Sequence, residues 1–216
     1  MSDARHALYD GLAQVGRALG NGHRLALLDR LAQAEAPVET LAGALGLSVA
    51  NASQHLQLLR RAGLVVSRRE GRQVRYRLSD QRVVVLLGLL REIAEHNLAE
   101  MERLVSRLFD AEGEPQALSR EALLARMAAG EVVLLDLRSE EEYREGHLPG
   151  ARHLPFDRLE SLLDTLPGDR DVVAYCRGPY CLTAREAERL LRREGLAVRR
   201  YAEGVPEWRA AGLPVE

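Results

Sequence analysis

The chain has 216 residues, of which 46% are hydrophobic, and its formal net charge is −2. This length predicts one or two domains with ordinary apolar cores, and the near-neutral charge excludes a protein that binds nucleic acid through bulk positive charge. The charge is unevenly spread, because residues 1–110 carry 15 Arg against 12 acidic residues while residues 111–216 carry 15 Arg against 20. Net charges of +3 and −5 indicate two units with different partners.

The sequence carries neither a membrane-span pattern nor a secretory signal. No apolar run approaches the roughly 20 residues of a membrane span, and no signal-peptide pattern opens the chain. The two cysteines, Cys176 and Cys181, lie in one loop and offer no disulfide framework. We therefore expect a cytoplasmic protein with no membrane partner.

The first domain, residues 1–110, is predicted to be mainly helical. Apolar spacing predicts helices over residues 4–19, 23–34, 38–45 and 49–62. Ser48 is the expected N-cap of the fourth helix and Gly63 its C′ residue. Two helices joined by a tight turn around Gly46 form a helix-turn-helix arrangement.

A basic β-hairpin is predicted directly after the fourth helix, over residues 64–78, with its turn at Glu70-Gly71. Seven Arg and one acidic residue lie between positions 60 and 77, and such a hairpin suits contact with phosphates. The exposed face of the helix carries amides that can bond to base edges. The predicted DNA-binding residues are Ser48, Asn51, Ser53, Gln54, Gln57, Arg60, Arg68, Arg69, Arg72 and Arg75. The alternative is a solvated helix and hairpin without a partner, which the order of turn, helix and hairpin disfavours.

The stretch Leu41-Ala-Gly-Ala-Leu-Gly-Leu-Ser48, with the helix and hairpin after it, resembles the recognition region of the ArsR/SmtB winged-helix repressors. The likeness spans about residues 5–108. It implies a homodimer, paired through the first and last helices, on double-stranded operator DNA of pseudo-palindromic sequence. Residues 83–108 would form that last helix, which carries an apolar stripe from Leu86 to Leu104.

This domain also departs from the family that it resembles. Members that sense arsenic, cadmium or, in many cases, persulfide use cysteines inside the domain, and here it has none. His96 and Glu100 lie one turn apart on the last helix, but two candidate ligands are too few for a zinc site. We expect no metal and no cofactor.

Residues 111–117 are acidic, contain Gly and Pro, and are predicted to be a linker to a second domain at residues 118–216. Short apolar runs at 132–136, 170–175 and 197–201 predict strands that alternate with helices. This alternation predicts a central parallel sheet with helices on both faces. Ligands of such sheets bind beyond the carboxyl ends of the strands, where Cys176 lies.

The loop that follows the 170–175 strand is Cys176-Arg177-Gly178-Pro179-Tyr180-Cys181, and it leads into a helix that begins near Thr183. Unpaired N–H groups and the positive end of a helix dipole favour a thiolate there, and Arg177 adds a positive charge. The two cysteines could instead fill space as small hydrophobes. A metal site is disfavoured because four residues separate the thiols and no second ligand pair is near.

Two stretches that flank this loop, residues 136–151 and 201–215, resemble the two signatures of rhodanese domains, and the match covers roughly residues 117–216. The resemblance implies a sulfurtransferase fold in which Cys176 carries a persulfide, with thiosulfate or a persulfide as the small sulfur donor and a thiol as the acceptor. Asp136, Arg138 and His147 would be structural. Relatives that act on phosphate or arsenate have a longer loop with Arg at the position of Leu182, so that class is disfavoured.

Cys181 is either a resolving thiol, which would convert a Cys176 persulfide into a disulfide or polysulfide, or only a small residue at a helix start.

The fold class expected is a mainly α winged helix-turn-helix followed by an α/β rhodanese-like domain. The preferred function is a transcriptional regulator, a repressor, tuned by sulfur chemistry at Cys176. Two alternatives stay open: a sulfurtransferase enzyme whose winged helix only dimerises or localises it, and a thiol redox switch without sulfur transfer.

Overall fold

The structure is a computed structural model that describes residues 2–109, 116–166 and 171–216. It divides into two compact units, unit 1 at residues 1–87 and unit 2 at residues 88–216. The predicted linker, residues 111–117, falls mostly outside the described residues, and so does Arg170, the expected start of a strand. Among the described helices, none has the length and apolar character needed to cross a membrane.

Unit 1 begins with the four predicted helices: α1 (Ser2–Leu19), α2 (Gly22–Gln33), α3 (Val38–Ala44) and α4 (Val49–Arg61). The side chain of Ser48 accepts a hydrogen bond from the Asn51 N–H at 3.2 Å, which confirms the predicted N-cap of α4. At the other end of α4, Gly63 has a φ of 74°, and the Leu64 N–H donates to the Leu59 carbonyl at 3.0 Å. This is a Schellman motif, in which a left-handed Gly lets the chain turn directly into the hairpin.

The hairpin belongs to a three-stranded antiparallel sheet: β1 (Ala36–Pro37), β2 (Val65–Glu70) and β3 (Gln73–Leu78), in the order β1-β3-β2. The sequence analysis did not predict β1, which is only two residues long. Glu70 pairs with Gln73, so the turn is Gly71-Arg72, one residue later than expected, and Gly71 takes a φ of 60°.

The core of unit 1 fixes which face of α4 points outward. Ala52, Leu56 and Leu59 are fully buried at helical spacing, and α4 packs against α2, where Leu27 and Leu28 are also fully buried. Because these three residues occupy one side of α4, the polar residues between them lie on the exposed side.

The predicted single helix at residues 83–108 is wrong, because the structure has two helices, α5 (Arg82–Asn97) and α6 (Ala99–Phe109), with a break at Leu98. The side-chain amide of Asn97 donates to the Ile93 carbonyl at 2.9 Å. That carbonyl is the acceptor that the helix backbone would use at this position, so the side chain competes with the helix.

The C-terminal part of unit 2 contains α7 (Arg120–Ala128), β4 (Val132–Asp136), α8 (Glu140–Arg144), β5 (Arg152–His153), β6 (Asp171–Tyr175), α9 (Leu182–Arg193), β7 (Val198–Arg200) and α10 (Val205–Ala210). Short 3₁₀ segments occupy Phe156–Arg158 and Glu160–Thr165. All strand pairs in the sheet are parallel, in the order β5-β4-β6-β7. The predicted parallel sheet is confirmed.

Side chains of β4 and β6 alternate between two apolar cores, one on each face of the sheet. One core includes Val133, Leu135, Val172, Ala174, Ala187 and Leu191. The other includes Leu134, Val173, Tyr175, Leu123 and Trp208. Cys176 continues the alternation of β6 one residue beyond the strand and therefore falls in the first core, on the side covered by α9.

Candidate functional site

The exposed face of α4 presents the residues that the sequence predicted for base contacts. Asn51, Gln54, Gln57 and Arg60 are exposed, while Ser53 is partly buried. Three amides and one guanidinium on a single helix face offer the donors and acceptors that match base edges in a major groove.

The four hairpin arginines predicted to contact DNA divide into two pairs. Arg68 and Arg75 lie opposite each other on β2 and β3, and both donate to Glu35, with Nε to Oε1 distances of 2.6 Å and 3.1 Å. Within the described residues, Arg69 and Arg72 are exposed and make no ion pair. Of the four, Arg69 and Arg72 are therefore the ones available to a phosphate. Glu35 was missed by the sequence analysis because it lies 33 positions from Arg68.

The two thiols lie at the carboxyl end of β6 and the start of α9, and both are free cysteines. Cys176 follows the last residue of β6 and is 2% exposed. Cys181 is the N-cap residue of α9 and is less buried than Cys176. Its N–H donates to the Gly178 carbonyl at 3.0 Å, which closes the loop on itself.

A hydrogen bond between the thiols sets their ionisation. The pKa of Cys181 is lowered to about 5, first by the hydrogen bond with Cys176 and then by the nearby backbone of Arg177 and Ala184 and the side chain of Thr183. The same hydrogen bond, together with burial, raises the pKa of Cys176. The two groups titrate as a pair that shares one proton. The lowered pKa favours a thiolate at Cys181, at the positive end of α9, and the expected thiolate at Cys176 stays a prediction.

Arg177 does not point a lone charge at the thiols, because its guanidinium binds Glu142 of α8. The Arg177 Nε and Nη2 atoms lie 2.6 Å and 2.7 Å from the two carboxylate oxygens, a bidentate pair whose carboxylate side chain is 6% exposed. Glu142 is itself fixed by the capping box that it forms with Ser139. The pattern Ser139-Glu-Glu-Glu142 is visible in the sequence as a helix start, but its link to the loop is not.

The backbone of the cysteine loop packs closely against Gly204, the N-cap residue of α10. A Cβ on Gly204 would lie 2.9 Å from the Arg177 carbonyl carbon and 3.0 Å from the Cys176 oxygen, which is too close for any other residue. Glu207 accepts a hydrogen bond from the Gly204 N–H at 3.1 Å and lies under Gly178. Gly204 and Glu207 were also missed as loop supports.

A buried polar network fixes the strand ends beside the loop. Arg138 and Asp136 form an ion pair at 2.6 Å with both side chains 0% exposed. The Tyr175 hydroxyl, one residue before Cys176, donates to Asp136 at 2.8 Å. The expected structural ion pair is therefore present. The hydrogen bond from Tyr175 to Asp136 attaches the end of β6 to the end of β4.

An open cavity of about 580 Å³ lies beside the loop. Its lining includes Arg177, which directly follows Cys176, and Thr183, two residues after Cys181, and also Ser139, His153 and Arg158. The guanidinium groups of Arg138, Arg158 and Arg177 in this lining, together with the carboxylates of Glu140 and Asp157, give the cavity a strongly polar wall.

Comparison with known proteins finds both domain types in this chain. Residues 119–211 match the family described as rhodanese-like domain, and residues 19–68 match the family described as helix-turn-helix domain. The two matched segments contain the cysteine loop and the α4 face, respectively.

Individual relatives cover either the whole chain or one half of it. The HTH-type transcriptional regulator Rv0324 of Mycobacterium tuberculosis is 46% identical over 216 residues, which is 100% of this chain and 94% of that protein. A sulfurtransferase of Allochromatium vinosum is 33% identical over 100 residues, 45% of this chain and 92% of that protein. A solution structure of the homodimeric winged helix-turn-helix DNA-binding domain of Mb0332 from Mycobacterium bovis is 44% identical, with a TM-score of 0.43, and covers 46% of this chain and 93% of that one.

Proposed function

The chain belongs to the family of HTH-type transcriptional regulators in which an ArsR/SmtB-type winged helix-turn-helix domain is joined to a rhodanese domain, and we propose that it is a repressor controlled by sulfur bound at Cys176. The observation that carries the proposal is the placement of two free thiols in one short loop, Cys176 directly after β6 and Cys181 at the start of α9. Unit 1 contains no cysteine, so the sulfur signal must enter through this loop.

The DNA surface proposed for unit 1 combines the exposed face of α4 with the tip of the hairpin. Gln54 and Gln57 contact bases in the major groove, and Arg69 and Arg72 contact phosphates beside it. The cross-strand pair of Arg68 and Arg75 with Glu35 stiffens the hairpin and holds its tip in place.

The protein is proposed to act as a homodimer that binds two operator half-sites. Support comes from exposed apolar side chains on the two helices that pair in the resembled family. Leu8 and Leu12 of α1 are 72% and 68% exposed, and Leu89 and Ile93 of α5 are 51% and 61% exposed. Large apolar side chains exposed on each of these helices favour burial against a second copy.

Sulfur loading begins when an anionic donor, such as thiosulfate, binds in the cavity beside Arg177. The Cys176 sulfur attacks the sulfane sulfur of the donor while its proton passes to the Cys181 thiolate, and sulfite leaves with the electron pair of the broken S–S bond. The products are a Cys176 persulfide anion, a Cys181 thiol and sulfite. Cys181 acts as the proton acceptor for Cys176: its lowered pKa of about 5 keeps it deprotonated at neutral pH, and departure of sulfite drives the transfer toward the persulfide.

The loaded loop can be resolved by its second thiol. The Cys181 sulfur attacks the inner sulfur of the persulfide, a Cys176–Cys181 disulfide forms, and the outer sulfur leaves as hydrosulfide with the thiol proton. The sulfane sulfur is reduced as the two thiols are oxidised, so the step requires no further reagent.

A second candidate function is a sulfurtransferase enzyme, and the open cavity beside the cysteine loop favours it. In that case the outer sulfur of the Cys176 persulfide would pass to an external thiol, and the enzyme would be loaded again in repeated cycles. A sulfur carrier that only regulates would instead load once and hold its sulfur until it is resolved.

The proposal is tested by mass spectrometry and DNA selection on the full-length protein. Thiosulfate should add the mass of one sulfur atom to the peptide that contains Cys176, and Cys176→Ser should abolish this addition. Selection from random duplexes should yield a pseudo-palindromic sequence. Sulfur found only on Cys181, or no enriched sequence, would contradict the proposal.

A further inference from the structure

We propose that Arg91 and Glu95 of α5 clamp Tyr180 of the cysteine loop, so that α5 responds to the chemical state of the two thiols. All these residues belong to unit 2. The inference rests on the proposed function, since it names the path by which sulfur at the loop reaches the helices that form the dimer.

Tyr180 is held by two charged side chains that lie one helical turn apart. Its hydroxyl donates to Glu95 Oε1, and the Arg91 guanidinium carbon lies 5.0 Å from the centre of its ring. Residues four apart on a helix share a face, so Arg91 and Glu95 approach the same tyrosine together. Burial, and then the hydrogen bond to Glu95, raise the pKa of Tyr180, which keeps the hydroxyl protonated as a donor.

Arg91 also contacts Glu207, whose carboxylate packs against Gly178 of the loop. Its Nη1 atom lies 3.7 Å from Glu207 Oε1, with side chains that are 16% and 15% exposed. Glu207 in turn lies under Gly178, where a Cβ would come within 3.4 Å of its carboxylate. The helix therefore meets the loop both at Tyr180 and at the carboxylate below Gly178.

The end of α6 provides a fixed point on the other side of Tyr180. The Phe109 ring stacks on the Tyr180 ring with centroids 6.1 Å apart. Buried Arg200 of β7 donates to the Phe109 carbonyl at 2.5 Å, and Arg185 of α9 donates to the Arg107 carbonyl at 3.5 Å. Cations at the negative end of a helix stabilise it there, so α6 is anchored on the sheet while α5 is held through Tyr180.

We expect the chemistry of the thiols to displace Tyr180, because this residue directly precedes Cys181 in the chain. A persulfide adds an atom beside Cys181, and a disulfide removes the thiol hydrogen bond and imposes its own Cα separation. Leu89 and Ile93 lie on α5 at positions that remain 51% and 61% exposed. The clamp residues and this apolar surface are on one helix, so a displaced Tyr180 alters the helix that pairs with the second copy.

The test compares Glu95→Ala and Arg91→Ala with Glu92→Ala, which removes an equal charge to Glu95→Ala from an exposed position of the same helix. Each full-length protein is left reduced, loaded with thiosulfate, or treated with methyl methanethiosulfonate, which places a methylthio group on thiols without any sulfur transfer. Hydrogen–deuterium exchange is measured for the peptide covering residues 88–97. Operator affinity and the mass of the loop peptide are measured on the same samples.

Wild type and Glu92→Ala should show several-fold faster exchange in α5 after either treatment, and an operator affinity changed roughly 5- to 150-fold after thiosulfate. The two clamp variants should exchange fast already when reduced and gain little on treatment. The inference is overturned if α5 exchange in modified wild type stays unchanged, or if both clamp variants respond as wild type does. A failure of the proposed function gives a different result: α5 responds to the methylthio group, but thiosulfate neither loads Cys176 nor changes operator affinity.

Discussion

Replacing Cys176 with Ala removes the thiol that lowers the pKa of Cys181. That hydrogen bond is the largest cause of the lowered pKa of about 5. Without it, burial acts against the weaker help from the loop backbone and Thr183, and the pKa should move toward the ordinary thiol value of about 8.5. At pH 7 the thiolate fraction would fall from about 99% to about 3%, so the reactivity of Cys181 should fall by up to about 30-fold.

The assay is the rate of iodoacetamide alkylation of the Cys181 peptide between pH 4 and pH 9, followed by mass spectrometry. Wild type should lose reactivity as the pH falls through about 5, because protonation then removes the thiolate. Cys176→Ser is the matched control, since its hydroxyl can still donate and should retain part of the effect. If Cys181 titrates at the same pH in Cys176→Ala as in wild type, the shared hydrogen bond does not control its ionisation.

Three further predictions follow from the contacts described above. Gly204→Ala places a Cβ 2.9 Å from the backbone of the cysteine loop, so it should abolish sulfur uptake measured by mass spectrometry, and normal uptake would contradict the packing. Asp136→Ala leaves the charge of Arg138 buried and unpaired, so chemical denaturation should show a loss of about 3–5 kcal/mol, and a loss below about 1 kcal/mol would refute that account. Gln54→Ala should cost about 1–3 kcal/mol of discrimination at one base pair of the operator. Arg72→Ala should instead weaken binding to all DNA sequences alike and reduce the slope of log affinity against log salt concentration by about one. If both variants bind the operator as wild type does, this surface does not contact DNA.

Local sequence patterns were enough to predict most elements that position the two candidate sites. Ser48 and Gly63 delimit α4 because a hydroxyl N-cap and a left-handed glycine have effects within a few residues. The alternation of β6 likewise determines which face of the sheet Cys176 joins, since it depends only on a period of two.

The unpredicted features depend on contacts between distant parts of the chain. Glu35 reaches Arg68 across 33 positions, Glu142 reaches Arg177 across 35, and Glu95 reaches Tyr180 across 85. No local period records such pairs, so the sequence showed the charges without their partners. The mutual effect of the two thiols on their pKa values also depends on their arrangement in the folded loop, which no local pattern records.

The most direct test of sulfur-controlled repression is a titration of labelled operator at one salt concentration. Reduced wild type, thiosulfate-loaded wild type and Cys176→Ser exposed to thiosulfate are compared. Loading should change the operator affinity of wild type roughly 5- to 150-fold and should leave Cys176→Ser at a single affinity. Equal affinities for reduced and loaded wild type, with sulfur confirmed on Cys176, would contradict control of DNA binding by sulfur.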